Sequence, residues 1–214
     1  IFDKDLAKKW IPVNIYFGGA EHTLGHTMYS RFFTKFFYDL GLTATDEYAV
    51  KRFNHGVILG PDGSRMSKSK GNIVNLEREV KSYGADAVRL YLAFIGPYDI
   101  VAPWNPGGMN GVYHFLQRVW GLQEKIVGSR QQATDKNLRI MHKTIRKVGE
   151  DIEKIKFNTS VAALMEWLNH LSRKASVLKE EYKTYLLLLA PFAPHITEEL
   201  WEQIGQKYSV HQQS

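Results

Sequence analysis

The chain has no cysteine, so it holds neither a disulfide nor a thiolate metal site and suits a reducing, cytoplasmic setting. No apolar run approaches the roughly 20 residues of a membrane span. The run Leu186–Ala190 is short, and Pro191 and Pro194 lie directly beyond it, so no membrane partner is expected. Internal repeats and low-complexity tracts are also lacking, which excludes solenoids and disordered linkers as the main architecture. What remains is 214 residues, enough for one large or two small domains with a sizeable core. A formal net charge of +6 suits a polyanionic partner without choosing one.

The most informative stretch is Arg65-Met66-Ser67-Lys68-Ser69-Lys70-Gly71-Asn72. It comes after an apolar strand candidate, Val57-Ile58-Leu59, and a turn built on Gly60-Pro61-Asp62-Gly63. Three cations interleave with the hydroxyls of Ser64, Ser67 and Ser69. A lysine on such a loop is a mobile point charge, suited to a polyphosphate whose charge grows in a transition state. A solvated surface loop is the plain alternative for any Lys/Ser run.

This stretch resembles the KMSKS signature of class I aminoacyl-tRNA synthetases, with Arg65 where lysine is most common. Gly18-Gly19-Ala20-Glu21-His22, with Met28-Tyr29-Ser30-Arg31-Phe32 after it, is similar to the adenosine-binding segment of the leucyl members. Isoleucyl, valyl and methionyl members usually carry Asp in place of Glu21. Further matching blocks are Tyr83–Tyr91, Pro103–Trp120 and Phe192–Trp201, in family order and across nearly the whole chain. The resemblance implies an α/β fold class: the second half of a Rossmann-like class I catalytic domain over residues 1–106, then an all-α bundle that contacts tRNA over 107–214. It also implies a reaction in which the leucine carboxylate attacks the α-phosphorus of ATP, carried as its Mg2+ complex, before transfer to tRNA(Leu).

Coarse patterning agrees with that division. Val13–Phe17 is β-prone and ends at Gly18-Gly19; a helix then runs to about Leu40, where Gly41 stops it. A second strand candidate, Tyr48–Leu59, breaks at Asn54-His55-Gly56. Helices are expected over Leu76–Tyr83 and Asp86–Phe94. From about Gly108 there is almost no β signal. Helical stretches run through Asn110–Val127, Thr134–Ile155, Asn158–Lys174, Glu180–Leu189 and Pro194–Ile204. Gly128–Gln132 reads as a linker, Asn158-Thr159-Ser160 as a tight helix–helix connection, and Val161, Leu164, Met165, Leu168 and Leu171 as one core stripe.

Carried over residue by residue, the resemblance makes Lys68 the contact to the departing phosphates, with Arg65, Ser67 and Ser69 shaping the loop alongside Met66. Glu21 stands where a carboxylate accepts from the ATP ribose hydroxyls; dipole complementation at a helix start is its plain alternative. Gly18 and Gly19 are close-approach positions beside the nucleotide. His22 belongs near the ATP and leucine pocket, and Val57 and Ile58 offer backbone groups to adenine or are simply strand core. His22 and His26 share a helical face but lack a third metal ligand, so no bound metal is expected. Trp104, Trp120, Trp167 and Trp201 read as core or interface aromatics. Lys136, Arg139, Lys143, Arg146 and Lys147 either line an RNA backbone groove or form a solvated face balanced by Glu150, Asp151 and Glu153. No His-x-Gly-His type motif occurs, and the chain opens on Ile1. The expected further partner is therefore a missing N-terminal half, without which the chain is expected to be inactive.

Overall fold

A computed structural model describes residues 3–127 and 134–213. The linker expected at Gly128–Gln132 lies outside the described residues. The chain forms two compact units, one of Ile1–Ile58 with Asp99–Ala102, the other of Leu59–Tyr98 with Pro103–Ser214.

In the first unit, α1 (Lys4–Trp10) starts where the Asp3 carboxylate accepts from the Asp5 and Leu6 amides at 2.8 and 3.1 Å. The β-prone run forms β1 (Val13–Gly19), which pairs in parallel with β2 (Ala49–His55) so that Phe17 faces Phe53 and Gly18 faces Asn54. The helical stretch expected after β1 runs from Ala20 to Asp39 with a changing pitch. A 3-10 turn (Ala20–His22) and a π turn (Thr23–Thr27) precede α2 (Met28–Asp39). Gly25 sits in the π turn, where the low helix propensity of glycine weakens the case for a regular helix. Gly41, at φ +65°, closes the other end as expected. The second strand breaks at Gly56 and resumes as β3 (Ile58–Leu59). Ion pairs from Arg31 to Glu47 (2.5 Å) and from Lys35 to Asp46 (2.9 Å) join α2 to the segment before β2.

This unit leaves much apolar surface uncovered. Ile15, Phe17 and Val50 on the strands, and Met28, Tyr29, Phe32, Phe33 and Phe36 on α2, are all exposed. A two-stranded sheet with bare apolar positions is marginal on its own.

The second unit carries the core. Helix α3 (Leu76–Tyr83) is capped by Asn75, whose side chain accepts from the Arg78 amide, and Gly84 at φ +88° separates it from α4 (Ala85–Phe94). After β4 (Ala102–Pro103), helix α5 (Pro106–Gly121) begins at an Asn105 cap. It ends earlier than expected, giving way to a 3-10 turn and the short strand β5 (Ile126–Val127). Helices α6 (Asp135–Glu153) and α7 (Phe157–Ser172) pack together. Strand β6 (Val177–Leu178), α8 (Lys179–Leu189) and α9 (Pro194–Gln203) complete the unit. The helical bundle forms as expected, with one addition, the short β5–β6 parallel pair; two-residue strands are too short to leave a periodic signal.

Leu90, Met109, Val112, Val119, Leu164 and Leu200 form the interior. The phenols of Tyr182 and Tyr185 donate to the carbonyls of Val119 and Leu164, and burial pushes both pKa values up. The α7 stripe is buried except for Met165, which is half-buried; Trp167 takes the interior position instead. Asn158, Thr159 and Ser160 are not a connection but the first turn of α7. The turn lies at Lys154–Lys156, with Ile155 at φ +57°. Polar residues that suggest a loop act here as hydrogen-bonding groups of a helix start: Thr159 donates to Asp151 and to the Lys156 carbonyl.

Candidate functional site

In the first unit, candidate residues gather where β1 ends. Gly19 is buried, and the Glu21 side chain folds back over it, so that an added Cβ would lie 2.4 Å from Oε2. At Gly18 the same addition meets only ordinary contacts, Tyr16 Cε1 at 3.4 Å and Arg52 Nη2 at 3.6 Å. The Arg52 guanidinium donates to the Gly19 carbonyl (3.1 Å), to Asn54 Oδ1 (2.5 Å) and to Thr23 Oγ1 (3.4 Å). It thereby ties the turn to β2. His26 bonds through Nε2 with the Tyr16 hydroxyl and stacks on that ring, centroids 5.6 Å apart, while His22 is exposed at the end of the 3-10 turn. Among the described residues no group of three or more His, Cys, Asp or Glu is placed to hold a metal ion.

Val57 and Ile58 are half-buried, and the Val57 carbonyl accepts from the Ala102 amide at 3.1 Å. Beside them Gly56 meets the Ile100 backbone so closely that a Cβ would fall 1.9 Å from its carbonyl oxygen.

In the second unit, Arg65 to Gly71 form a loop with a structured base. The Gly60 amide donates to the Ser64 carbonyl (2.8 Å), and the Ser64 amide and hydroxyl donate to Asp62 (3.1 and 2.8 Å). The Asn72 carboxamide reaches across: Nδ2 lies 2.8 Å from Ser64 Oγ, 3.2 Å from both Asp62 oxygens and 3.3 Å from the Arg65 carbonyl, while Oδ1 accepts from the Ser67 amide at 2.9 Å. Hydrogen bonds from Ser64 and Asn72 hold the Asp62 carboxyl below the usual carboxylate range. Ser67 Oγ lies 3.1 Å from Ser69 Oγ and accepts from the Lys70 amide. Lys68, Ser69 and Lys70 are exposed at the tip, and Gly63 and Gly71 take positive φ on either side. A cationic tip on a hydrogen-bonded base is suited to closing on a phosphate group.

Residues 4–100 match the family model of tRNA synthetases class I (I, L, M and V), and residues 136–214 match that of the anticodon-binding domain of tRNA ligase. A leucine–tRNA ligase of Pelodictyon phaeoclathratiforme is 44% identical over 218 residues, covering 99% of this chain and 27% of that protein. One of Prosthecochloris aestuarii is 46% identical, with 98% and 27% covered. The chain belongs to the leucyl-tRNA synthetase family. Among solved structures, a leucyl-tRNA synthetase of Agrobacterium radiobacter, in a ternary complex with tRNA and LeuAMS, superposes with a TM-score of 0.88 at 35% identity, over 98% of this chain and 30% of that one. A Mycobacterium tuberculosis methionyl-tRNA synthetase in complex with methionyl-adenylate shares the fold at 17% identity, with a TM-score of 0.69 over 92% of this chain and 45% of that one. The chain spans 27% of the length of these curated relatives.

For this leucyl-tRNA synthetase family chain the structure adds three residues that motifs alone do not single out: Arg52, Asp62 and Asn72. Arg52 lies in a strand with no motif. Asn72 is visible in the sequence only as the end of the signature stretch and Asp62 only as a turn residue. Of the tryptophans, Trp104, Trp167 and Trp201 are buried, whereas Trp120 is 40% exposed. The five α6 cations are all exposed; Arg146 and Lys147 pair with Glu150 and Asp151, and no ion pair engages Lys136, Arg139 or Lys143 among the described residues. No described helix is long and apolar enough to cross a membrane.

Proposed function

We propose that this chain supplies the ATP-facing second half of a leucine–tRNA ligase catalytic domain, residues 1–106, with a helical tRNA-binding domain, residues 107–214, after it. The whole enzyme joins leucine to ATP, releasing pyrophosphate, and passes the leucyl group to tRNA(Leu) in the cytoplasm. Lys68 stabilises the charge that builds on the departing phosphates, and Arg65, Met66, Ser67 and Ser69 form the loop that carries it. Glu21 accepts from the ribose hydroxyls beside Gly18 and Gly19. His22 lies toward ATP and leucine, and Val57 and Ile58 edge the adenine. Magnesium enters with ATP as part of the substrate, and this chain's residues hold no metal of their own.

The observation that carries this reading is the signature loop, with Lys68 at an exposed tip and a base held by Asp62, Ser64 and Asn72. The uncovered apolar strands and α2 of the first unit support a partner in the missing N-terminal half, so the isolated chain is inactive. Leucine-dependent ATP–pyrophosphate exchange tests this directly. Exchange that appears only on mixing with a leucyl-tRNA synthetase N-terminal half, and disappears with Lys68→Ala, is the expected result. Exchange by the chain alone would remove the requirement for the other half.

A second reading, a tRNA-binding module without catalysis, draws on the α6 cations. It requires tRNA affinity that ignores Lys68→Ala yet weakens on replacing Lys136, Arg139 and Lys143 with glutamine. The slope of log affinity against log salt should then become shallower by about 0.9 for each phosphate no longer neutralised.

A further inference from the structure

We propose that Asn72 is a positioning residue for Lys68, acting through Ser67 and anchored on Asp62. The inference rests on Lys68 being a phosphate contact. Loop closure needs the tip to move while its base keeps its register, and the hydrogen bonds divide the loop in that way. Asn72 accepts from the Ser67 amide, the residue immediately before Lys68, at 2.9 Å. On its other side the same carboxamide lies 3.2 Å from both Asp62 oxygens and 2.8 Å from Ser64 Oγ. One side chain therefore joins the strand-side turn to the peptide that carries Lys68.

The base is packed as well as bonded. Gly60 is buried, and a Cβ there would lie 2.7 Å from Asp62 Oδ1 and 3.0 Å from Asn72 Nδ2. Beyond Ser67 the contacts thin out. Lys68 to Gly71 are exposed, held by the Lys70 amide on Ser67 Oγ and a 3.3 Å bond from the Gly71 amide to the Lys68 carbonyl. Asp62 has a second effect. It keeps a negative charge at the base of a loop with cations at Arg65, Lys68 and Lys70, and an amide is the side chain that donates to it while accepting from a backbone amide.

The test uses the 214-residue chain with magnesium pyrophosphate as the probe, and reads acylation of lysines by mass spectrometry. In the unaltered chain, pyrophosphate shields Lys68 and leaves the exposed Lys51 unaffected. Asn72→Ala raises the pyrophosphate concentration for half-protection about tenfold, while melting temperature and unliganded Lys68 reactivity stay the same. Asn72→Asp does likewise, because its carboxylate faces Asp62. The exchange D62N/N72D swaps donor and acceptor and recovers most of the protection. Unchanged half-protection in Asn72→Ala, or a double exchange no better than Asn72→Asp, overturns the positioning role and leaves the phosphate reading intact. No shielding of Lys68 in the unaltered chain overturns the phosphate reading, and the positioning role with it.

Discussion

The Glu21 carboxylate folds back over Gly19, so that a Cβ on Gly19 would lie 2.4 Å from Oε2 and 2.7 Å from the carboxyl carbon. Nothing but the end of a flexible side chain stands in the way, and Gly19 has ordinary extended backbone angles of φ −65° and ψ 148°. Gly19→Ala should therefore spare the fold and displace the carboxylate. The expected outcome is a melting temperature within about 2 °C of the unaltered chain. ATP affinity, read by calorimetry, should fall about tenfold, the worth of one charge-assisted hydrogen bond. Equal ATP affinity would detach Glu21 from ribose recognition.

Gly56 behaves in the opposite way. Here a Cβ meets backbone, 1.9 Å from the Ile100 oxygen and 2.4 Å from its carbonyl carbon, and backbone cannot rotate aside. Gly56→Ala should destabilise the first unit by about 3 kcal/mol, the upper range for overpacking. Urea unfolding followed by far-UV circular dichroism would show it; a midpoint shift as small as that of Gly19→Ala would contradict the close approach.

Asp151 couples α6 to α7. It is 4% exposed, and Oδ2 accepts from Lys147 Nζ at 2.5 Å and from Thr159 Oγ1 at 2.6 Å. Burial by itself would raise the carboxyl pKa, but the hydrogen bonds from Lys147 and Thr159 outweigh it and hold it below the usual range. A folded value below the unfolded one means stability that is present above about pH 3.9 and is lost as pH falls through the folded value. Asp151→Asn should cost about 2 kcal/mol at pH 7. The difference from the unaltered chain should shrink progressively below pH ~4. A difference constant down to pH ~2 would rule out the carboxylate as its source.

Glu47 offers a local reporter on the first unit. The Arg31 guanidinium, with help from Lys35, holds its carboxyl at about 2. Both partners are substantially exposed, so the pair adds little stability. Carboxyl NMR titration should place the Glu47 midpoint near that value, and Arg31→Gln should return it toward about 4.3. An unshifted midpoint in the unaltered chain would mean that the pair does not persist in solution.

Elements with strong local signals are legible in the sequence. The helices expected over Leu76–Tyr83 and Asp86–Phe94 form at Leu76–Tyr83 and Ala85–Phe94, and the stretch expected from Thr134 forms α6, with the Thr134 side chain accepting from the Asn137 amide at its start. Sequence and structure part where local chemistry has two uses. Thr159 and Ser160 look like a connection because hydroxyls compete for backbone, yet the same hydroxyls serve a helix start. Ile155 gives no hint of its positive φ, since a β-branched residue rarely adopts it.

By itself the sequence determined the family, the order of its motifs and which residues bear charge, because these are properties of residue type and spacing. Only the tertiary structure decided that Arg52 clamps the Gly19 carbonyl from 33 positions away. It alone put Asn72 against Asp62, ten residues back, and Gly56 against Ile100. The reason is physical. Hydrogen bonds and close packing act over a few ångströms in space, and chain separation carries no record of which distant groups the fold will bring within that range.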